Sequence, residues 1–169
     1  MCENLLLTNT NTIMKKVNQV ITPGMFWFED NTFATERVRG KKLKAIVELV
    51  KDGIVYGDLT VSELFEINEQ RLSWDKAKEF FEKFSYPCQE NEKIVWYGSY
   101  LMKMVCATFD QVIPAFTKLS KPCRSYQNWS SSEGGAGDAW FLNFSSLFRY
   151  YTDKEKVFYV RPVIAMKVA

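Results

Sequence analysis

The sequence has 169 residues, 47% apolar and 15% aromatic, and contains no histidine. A chain of this length forms one domain, or one domain with a small appendage, and buries enough surface to need no metal or disulfide staple. The missing histidine removes Ser-His-Asp and Cys-His catalysis, His-ligated zinc and a His proton shuttle, while 22 basic against 20 acidic residues make no general case for nucleic acid.

Residues 1–40 read as a mixed N-terminal extension, a candidate oligomerisation segment. Leu5 to Leu7 is too short for the apolar core of a secretion signal, and no run approaches membrane-spanning length. The expectation is a chain that is cytoplasmic at synthesis, with association to a virion or a surface left open. Met14 is an alternative start to Met1. Val17 to Ile21 and Met25 to Phe28 read as short strands around the Pro23-Gly24 turn. Phe26, Trp27 and Phe28 are apolar enough to require cover, from the main core or from a partner chain. Arg37, Arg39, Lys41, Lys42, Lys44 and Lys51 concentrate positive charge, which fits a solvated strand edge. A phosphate or anionic-glycan patch is the alternative.

Residues 41–169 read as the main domain. Ala45 to Val50 and Ile54 to Leu59 form a hairpin around Asp52-Gly53. Thr60 with Glu63 has the spacing of a capping box, opening a short helix through Leu64, Phe65 and Ile67. Ser73 is an N-cap for a helix carrying Trp74, Ala77, Phe81 and Phe84 at helical spacing, and Tyr86-Pro87 ends it. Ile94 to Trp96 reads as a short buried strand. Ser99 caps a second helix whose apolar face runs from Leu101 through Cys106 to Phe116, kinked or split by Pro114. The four cysteines form no CxxC, and a Cys88–Cys123 bridge stays open.

The C-terminal part reads as β structure. Tyr126 to Ser132 is a strand and Gly134 to Gly137 a flexible loop. Ala139 to Phe144 alternates strictly, with Trp140, Leu142 and Phe144 on one face and Phe141 and Asn143 on the other. Phe148 to Thr152 is a further strand. Phe158 to Val168 is the last, and its Arg161-Pro162 marks an edge or a bulge.

Three stretches occur together: Trp74-Asp75-Lys76-Ala77; Asn128-Trp129-Ser130-Ser131-Ser132-Glu133 followed by Ala139-Trp140-Phe141-Leu142-Asn143-Phe144; and Tyr159-Val160-Arg161-Pro162-Val163. As a set they resemble bacterial and phage domains with a C-type-lectin-like fold, found at the tips of collagen-like adhesins and in the variable proteins of diversity-generating retroelements. The resemblance spans roughly Lys44 to Val168. One departure is Trp96-Tyr97-Gly98-Ser99, where relatives usually carry a "WRLP"-like segment.

The resemblance implies an α+β fold, with two helices on a twisted, mostly antiparallel sheet and paired N- and C-terminal strands. It implies ligand display rather than catalysis. On that expectation the outward candidates are Phe141, Asn143, Phe148, Arg149, Tyr150 and Tyr151, with Gln127, Glu133 and Asp138 at the loop. Trp74, Trp129 and Trp140 are expected in the core. Ser130, Ser131 and Ser132 are expected to bond neighbouring backbone, and Arg161, beside Pro162, to pair with Glu133 or Asp138 as a buried brace.

No cofactor and no metal is expected, because Glu133 and Asp138 offer too few oxygens for calcium. Formylglycine-generating enzymes share a related fold but rely on late cysteines, and none follows Cys123. No carboxylate pair or phosphate-binding glycine loop stands out, so no enzyme is expected. The reading is a non-catalytic recognition domain that binds a protein or glycan partner through its C-terminal β face. No nucleic acid or membrane is expected as a partner, and a homo-oligomer built on the N-terminal segment is possible. The alternative is a structural or assembly component of a phage particle or surface appendage.

Overall fold

The computed structural model describes residues 19–64, 70–121 and 126–168. The architecture is α+β, but with two sheets and three helices among the described residues, rather than two helices on one sheet. The first sheet contains β1 (Phe26–Phe28), β2 (Phe33–Ala34), β3 (Leu43–Lys51), β4 (Ile54–Asp58), β6 (Glu92–Val95) and β11 (Val163–Lys167), in the order β2-β1-β3-β4-β11-β6. The second contains β5 (Arg71–Leu72), β7 (Gln127–Glu133), β8 (Asp138–Asn143), β9 (Phe148–Asp153) and β10 (Phe158–Tyr159), in the order β5-β10-β7-β8-β9. The last strand, β11, lies between β4 and β6, so among the described residues it pairs neither with β1 nor with β3, the first strand of the span that carries the resemblance.

The first sheet is covered on both faces, and this decides the fate of the Phe-Trp-Phe run. Phe26 and Phe28 pack with Val112, Ala115 and Phe116, whereas Trp27 packs with Phe33, Val47, Val55 and Ile164 on the other side. A strand buried on both faces needs no polar alternation. All three side chains are thus enclosed by their own chain, and none is left for a partner. The sheet also runs without a break across residue 40, because β1 pairs with β3. Val17 and Asn18 lie outside the described residues, and Gln19 to Thr22 form no strand.

Gly57 of β4 makes room for the Trp27 ring. A Cβ there would lie 2.8 Å from both Trp27 Cε3 and Ala45 Cβ. Gly24, at φ +89°, brings the Pro23-Gly24 turn against the backbone of Gln111.

Helix α1 (Trp74–Lys83) follows Ser73, which supplies no side-chain cap bond, and it ends at Phe84, ahead of Tyr86-Pro87. The expected capping box at Thr60 and Glu63 is absent. Asp58 instead accepts from Thr60 N at 2.8 Å and opens a 3₁₀ turn, Leu59–Val61. Glu63 accepts from Leu43 N and pairs with Arg37. Phe65 and Ile67 lie outside the described residues.

The long helix does split, though not at Pro114. Helix α2 (Ser99–Ala107) gives way at Thr108 to α3 (Phe109–Lys118). Thr108 Oγ1 donates to Glu48 O at 2.6 Å and to Val105 O at 2.9 Å, docking the break on the β3 bulge. Pro114 sits exposed inside α3, and Asp110, whose carbonyl loses its helical partner, is exposed to water. The N-cap of α2 is Gly98, not Ser99; Ser99 N donates to Ser132 Oγ at 3.0 Å.

Two expectations about the C-terminal strands also change. The Gly134 to Gly137 loop is closed by hydrogen bonds from Gly134 N to Asp138 O and from Lys154 N to Gly137 O. The final strand is two strands, and Arg161-Pro162 is neither edge nor bulge: it is the crossover from the second sheet to the first.

Candidate functional site

The β8–β9 hairpin carries most of the candidate ligand-facing residues. Alternation places Trp140 and Phe141 on opposite faces, as expected, but the assignment of inside and outside is corrected. Ala139 and Phe141 pack with Trp129 and Phe158, against Trp74 and Ala77 of α1. Leu142 and Phe144 pack against α2 and Phe109, with the Phe109 and Phe144 rings 5.2 Å apart. Both faces of β8 are therefore covered, and Phe141 is buried. Trp140, at the far end of the second face, is half-exposed. It is held by Tyr151 at 5.2 Å and by the Arg149 guanidinium at 5.0 Å from its ring.

Strand β9 is the outermost strand of the second sheet. Phe148, Tyr150 and Tyr151 are 63%, 46% and 61% exposed. Tyr150 lies opposite Phe141 and Phe148 opposite Asn143, on one face; Arg149 lies opposite Leu142 and Tyr151 opposite Trp140, on the other. The Tyr150 ring rests 5.7 Å from that of Phe141, so the exposed aromatics continue a packed row that leads into the core.

The other candidates are not gathered at one place. Gln127 lies opposite Asn143, at the end of the hairpin that carries Phe148. Asn143 Oδ1 accepts from Ser145 N at 2.9 Å, closing the turn into β9. Glu133 and Asp138 sit at the opposite end, five residue steps or roughly 17 Å away along an extended strand. There Glu133 pairs with Lys154 at 2.9 Å, and Lys154 Nζ also donates to Ala136 O.

The serine segment and the tryptophans build an edge cover. β7 meets β10 at one residue pair, Asn128 with Tyr159. Beyond it, Trp96 Nε1 donates to Trp129 O at 3.0 Å and Trp74 Nε1 to Ser130 O at 2.8 Å, while Ser131 N donates to Tyr97 O. Ser130 Oγ donates to Trp140 O on the β8 side. The buried Trp129 donates Nε1 to Leu72 O. In the sequence Trp96 and Tyr97 stand out only as part of the departure from the relatives' segment; an aromatic pair directly before a helix, here one partly buried and one buried ring, is the signal that marks them as structural.

Arg161 is buried as a brace, but its partner is Asp58 at 2.6 Å, not Glu133 or Asp138. Its guanidinium lies between the Phe116 and Phe144 rings. Glu48, in contact with Asp58, has its carboxyl pushed well above the usual range by burial and by the Asp58 charge. Tyr97 O–H donates to Glu48 Oε2 at 3.3 Å, and burial together with the Glu48 charge raises its phenol as well. Two carboxyls in contact, one of them raised, are acid–base equipment, but Glu48, Asp58, Tyr97 and Arg161 are all buried, which closes them to a substrate.

The basic run is largely answered by acids: Lys41 pairs with Asp30, Arg37 with Glu63 and the buried Lys44 with Glu92, each at 2.7 Å. Cys88 is free and largely exposed, its thiol raised by partial desolvation and by the Glu92 charge; Cys123 lies outside the described residues. Among the described residues no three acidic or thiol groups converge to hold a metal, and no helix is long and apolar enough to cross a membrane. No protein-family profile matches the sequence, and no characterised protein matches it.

Proposed function

We propose that the chain is a non-catalytic recognition domain of C-type-lectin-like fold that presents β9 to a protein or glycan partner. One observation carries this reading: Phe148 and Tyr150 on one face and Tyr151 on the other are exposed along a single outer strand whose backing residues, Phe141 and Trp140, anchor it to the body of the molecule. Aromatic side chains on a rigid strand offer large contact area for little lost rotamer freedom. The contact set is Phe148, Arg149, Tyr150 and Tyr151 with Trp140. Phe141 supports it from below, and Gln127, Asn143, Glu133 and Asp138 flank it at its two ends.

The test is a screen of glycan and protein libraries with the native chain and with Phe148→Ala and Tyr150→Ala. Ligands that bind the native chain are expected to weaken at least tenfold with each variant. If every ligand survives both changes, β9 is not the site. The second reading, a structural component of a particle or appendage, is favoured by the outer main-chain edge of β9, which no described strand covers.

A further inference from the structure

The outer edge of β9 differs from the other sheet margins. β2 and β5 are two residues long, β6 is four, and the exposed side of β7 is covered by the Trp74 and Trp96 indoles. β9 has six residues in unbroken register with β8, and no proline, lysine or bulge interrupts it. Proline, lysine and bulges are among the devices that keep an edge from pairing, and the two charges β9 does carry, Arg149 and Asp153, are opposite in sign.

From the pattern of charge along this edge, we infer that β9 pairs antiparallel with β9 of a second copy, about a two-fold axis through Tyr151. A two-fold axis perpendicular to a sheet keeps each residue on its own face, so facing residues must differ by an even number. With the axis at Tyr151, Arg149 faces Asp153 of the second copy, and the pair occurs twice. Tyr150 then faces Thr152. An axis at Tyr150 would set Asp153 opposite Leu147 and leave Arg149 opposite Tyr151.

A second observation points to the same register. Within one chain Asp153 lies directly opposite Asp138, a like-charge pair that ordinarily destabilises a sheet. Neither carboxylate has an ion-pair partner among the described residues, and the neighbouring Lys154 is committed to Glu133. Arg149 of the second copy brings a cation to that end of the hairpin. The contact is a single strand edge, which places the dimer at the weak end of specific interfaces. The inference shares Arg149 and Tyr151 with the recognition reading but stands on the main-chain edge and its charges; Phe148 and Tyr150, whose replacement tests recognition, project from the other face, so the two can fail separately.

Sedimentation velocity of the full chain over a concentration series is the test. The native chain is expected to pass from monomer to dimer, and Arg149→Asp and Asp153→Arg are each expected to stay monomeric. An equimolar mixture of the two variants is expected to recover the dimer, because each faces its opposite charge. Asp153 caps the turn at Glu155 N, so Asp153→Arg risks misfolding. Tyr151→Cys avoids that risk: it sets two thiols opposite each other on the axis and should give a disulfide-linked dimer on mild oxidation, whereas Tyr150→Cys should not. A native chain that is monomeric at every concentration overturns the inference. So does a dimer indifferent to Arg149→Asp, or one that crosslinks equally through either cysteine.

Discussion

Arg161 reaches Asp58 across 2.6 Å, from the crossover between β10 and β11 to the end of β4. This ion pair fastens the second sheet to the first at the one place where the chain passes from β10 into β11. Its arginine is clamped between rings from α3 and the end of β8, so it draws four parts of the fold together.

Replacing one member of a buried pair leaves the other charge in a medium that cannot solvate it. Arg161→Met is therefore expected to cost about 3–5 kcal/mol of unfolding free energy. The double variant Arg161→Met with Asp58→Asn should recover part of that loss, since Asn keeps an oxygen for Thr60 N. Urea denaturation of the native chain, both single variants and the double variant gives the coupling. Additive losses would mean that the two residues do not act as a pair.

Glu48 gives a pH dependence with a definite sign. Its carboxyl titrates well above 4.5 in the folded chain and near 4.5 in the unfolded chain. Below pH 4.5 both states hold the proton and Glu48 imposes no penalty. As pH rises above that value, the unfolded chain releases the proton first, so stability falls by up to about 1.4 kcal/mol per pH unit until the folded carboxyl also ionises. Glu48→Gln removes this slope while keeping an acceptor for Tyr97 and a donor for Asp58. The variant is expected to gain on the native chain between pH 5 and 7 and to lose that advantage toward pH 4, as read from urea midpoints. Parallel pH profiles would show that Glu48 is ionised in the fold.

The β3–β4 hairpin, helix α1 and the strict alternation in β8 were legible because each is a local pattern of apolar spacing or turn chemistry. What was not legible depended on distant partners. Asp58 and Arg161 are remote in sequence, so no spacing rule pairs them, and nearer acids were the only candidates in view. Pro114 is the usual helix breaker, yet the break sits at Thr108, because the β3 bulge offers the Glu48 carbonyl to its hydroxyl. Alternation separates Trp140 from Phe141 but does not say which face receives a covering layer. Here α1 covers the Phe141 face, and α2 with α3 cover the other only as far as Leu142 and Phe144.

Gly57 has no replacement that fits. Trp27, the ring a new Cβ would meet at 2.8 Å, is wholly buried and is fixed by its Nε1 bond to Asn31 Oδ1. Ala45 closes the other side. Gly57→Ala is expected to destabilise the chain by about 1–3 kcal/mol through overpacking. Thermal unfolding followed by tryptophan fluorescence checks it. An unchanged midpoint would mean that β4 shifts to absorb the methyl group.

Phe141 and Phe148 separate support from contact. Phe141 sits among Trp129, Phe158 and Tyr150, so Phe141→Ala opens a cavity and is expected to cost about 3–5 kcal/mol. Phe148 is mostly in water, and its loss should change stability by no more than about 0.5 kcal/mol. The functional consequences should run the other way once stability is accounted for. Well below its melting temperature, the folded Phe141→Ala chain keeps β9 and should retain any ligand found for the native chain, whereas Phe148→Ala should weaken that ligand without lowering the melting temperature. Measuring binding and melting on both variants distinguishes a buried prop from a binding side chain. If Phe148→Ala melts several degrees lower and Phe141→Ala does not, then Phe148 belongs to the packed core and the contact surface lies elsewhere.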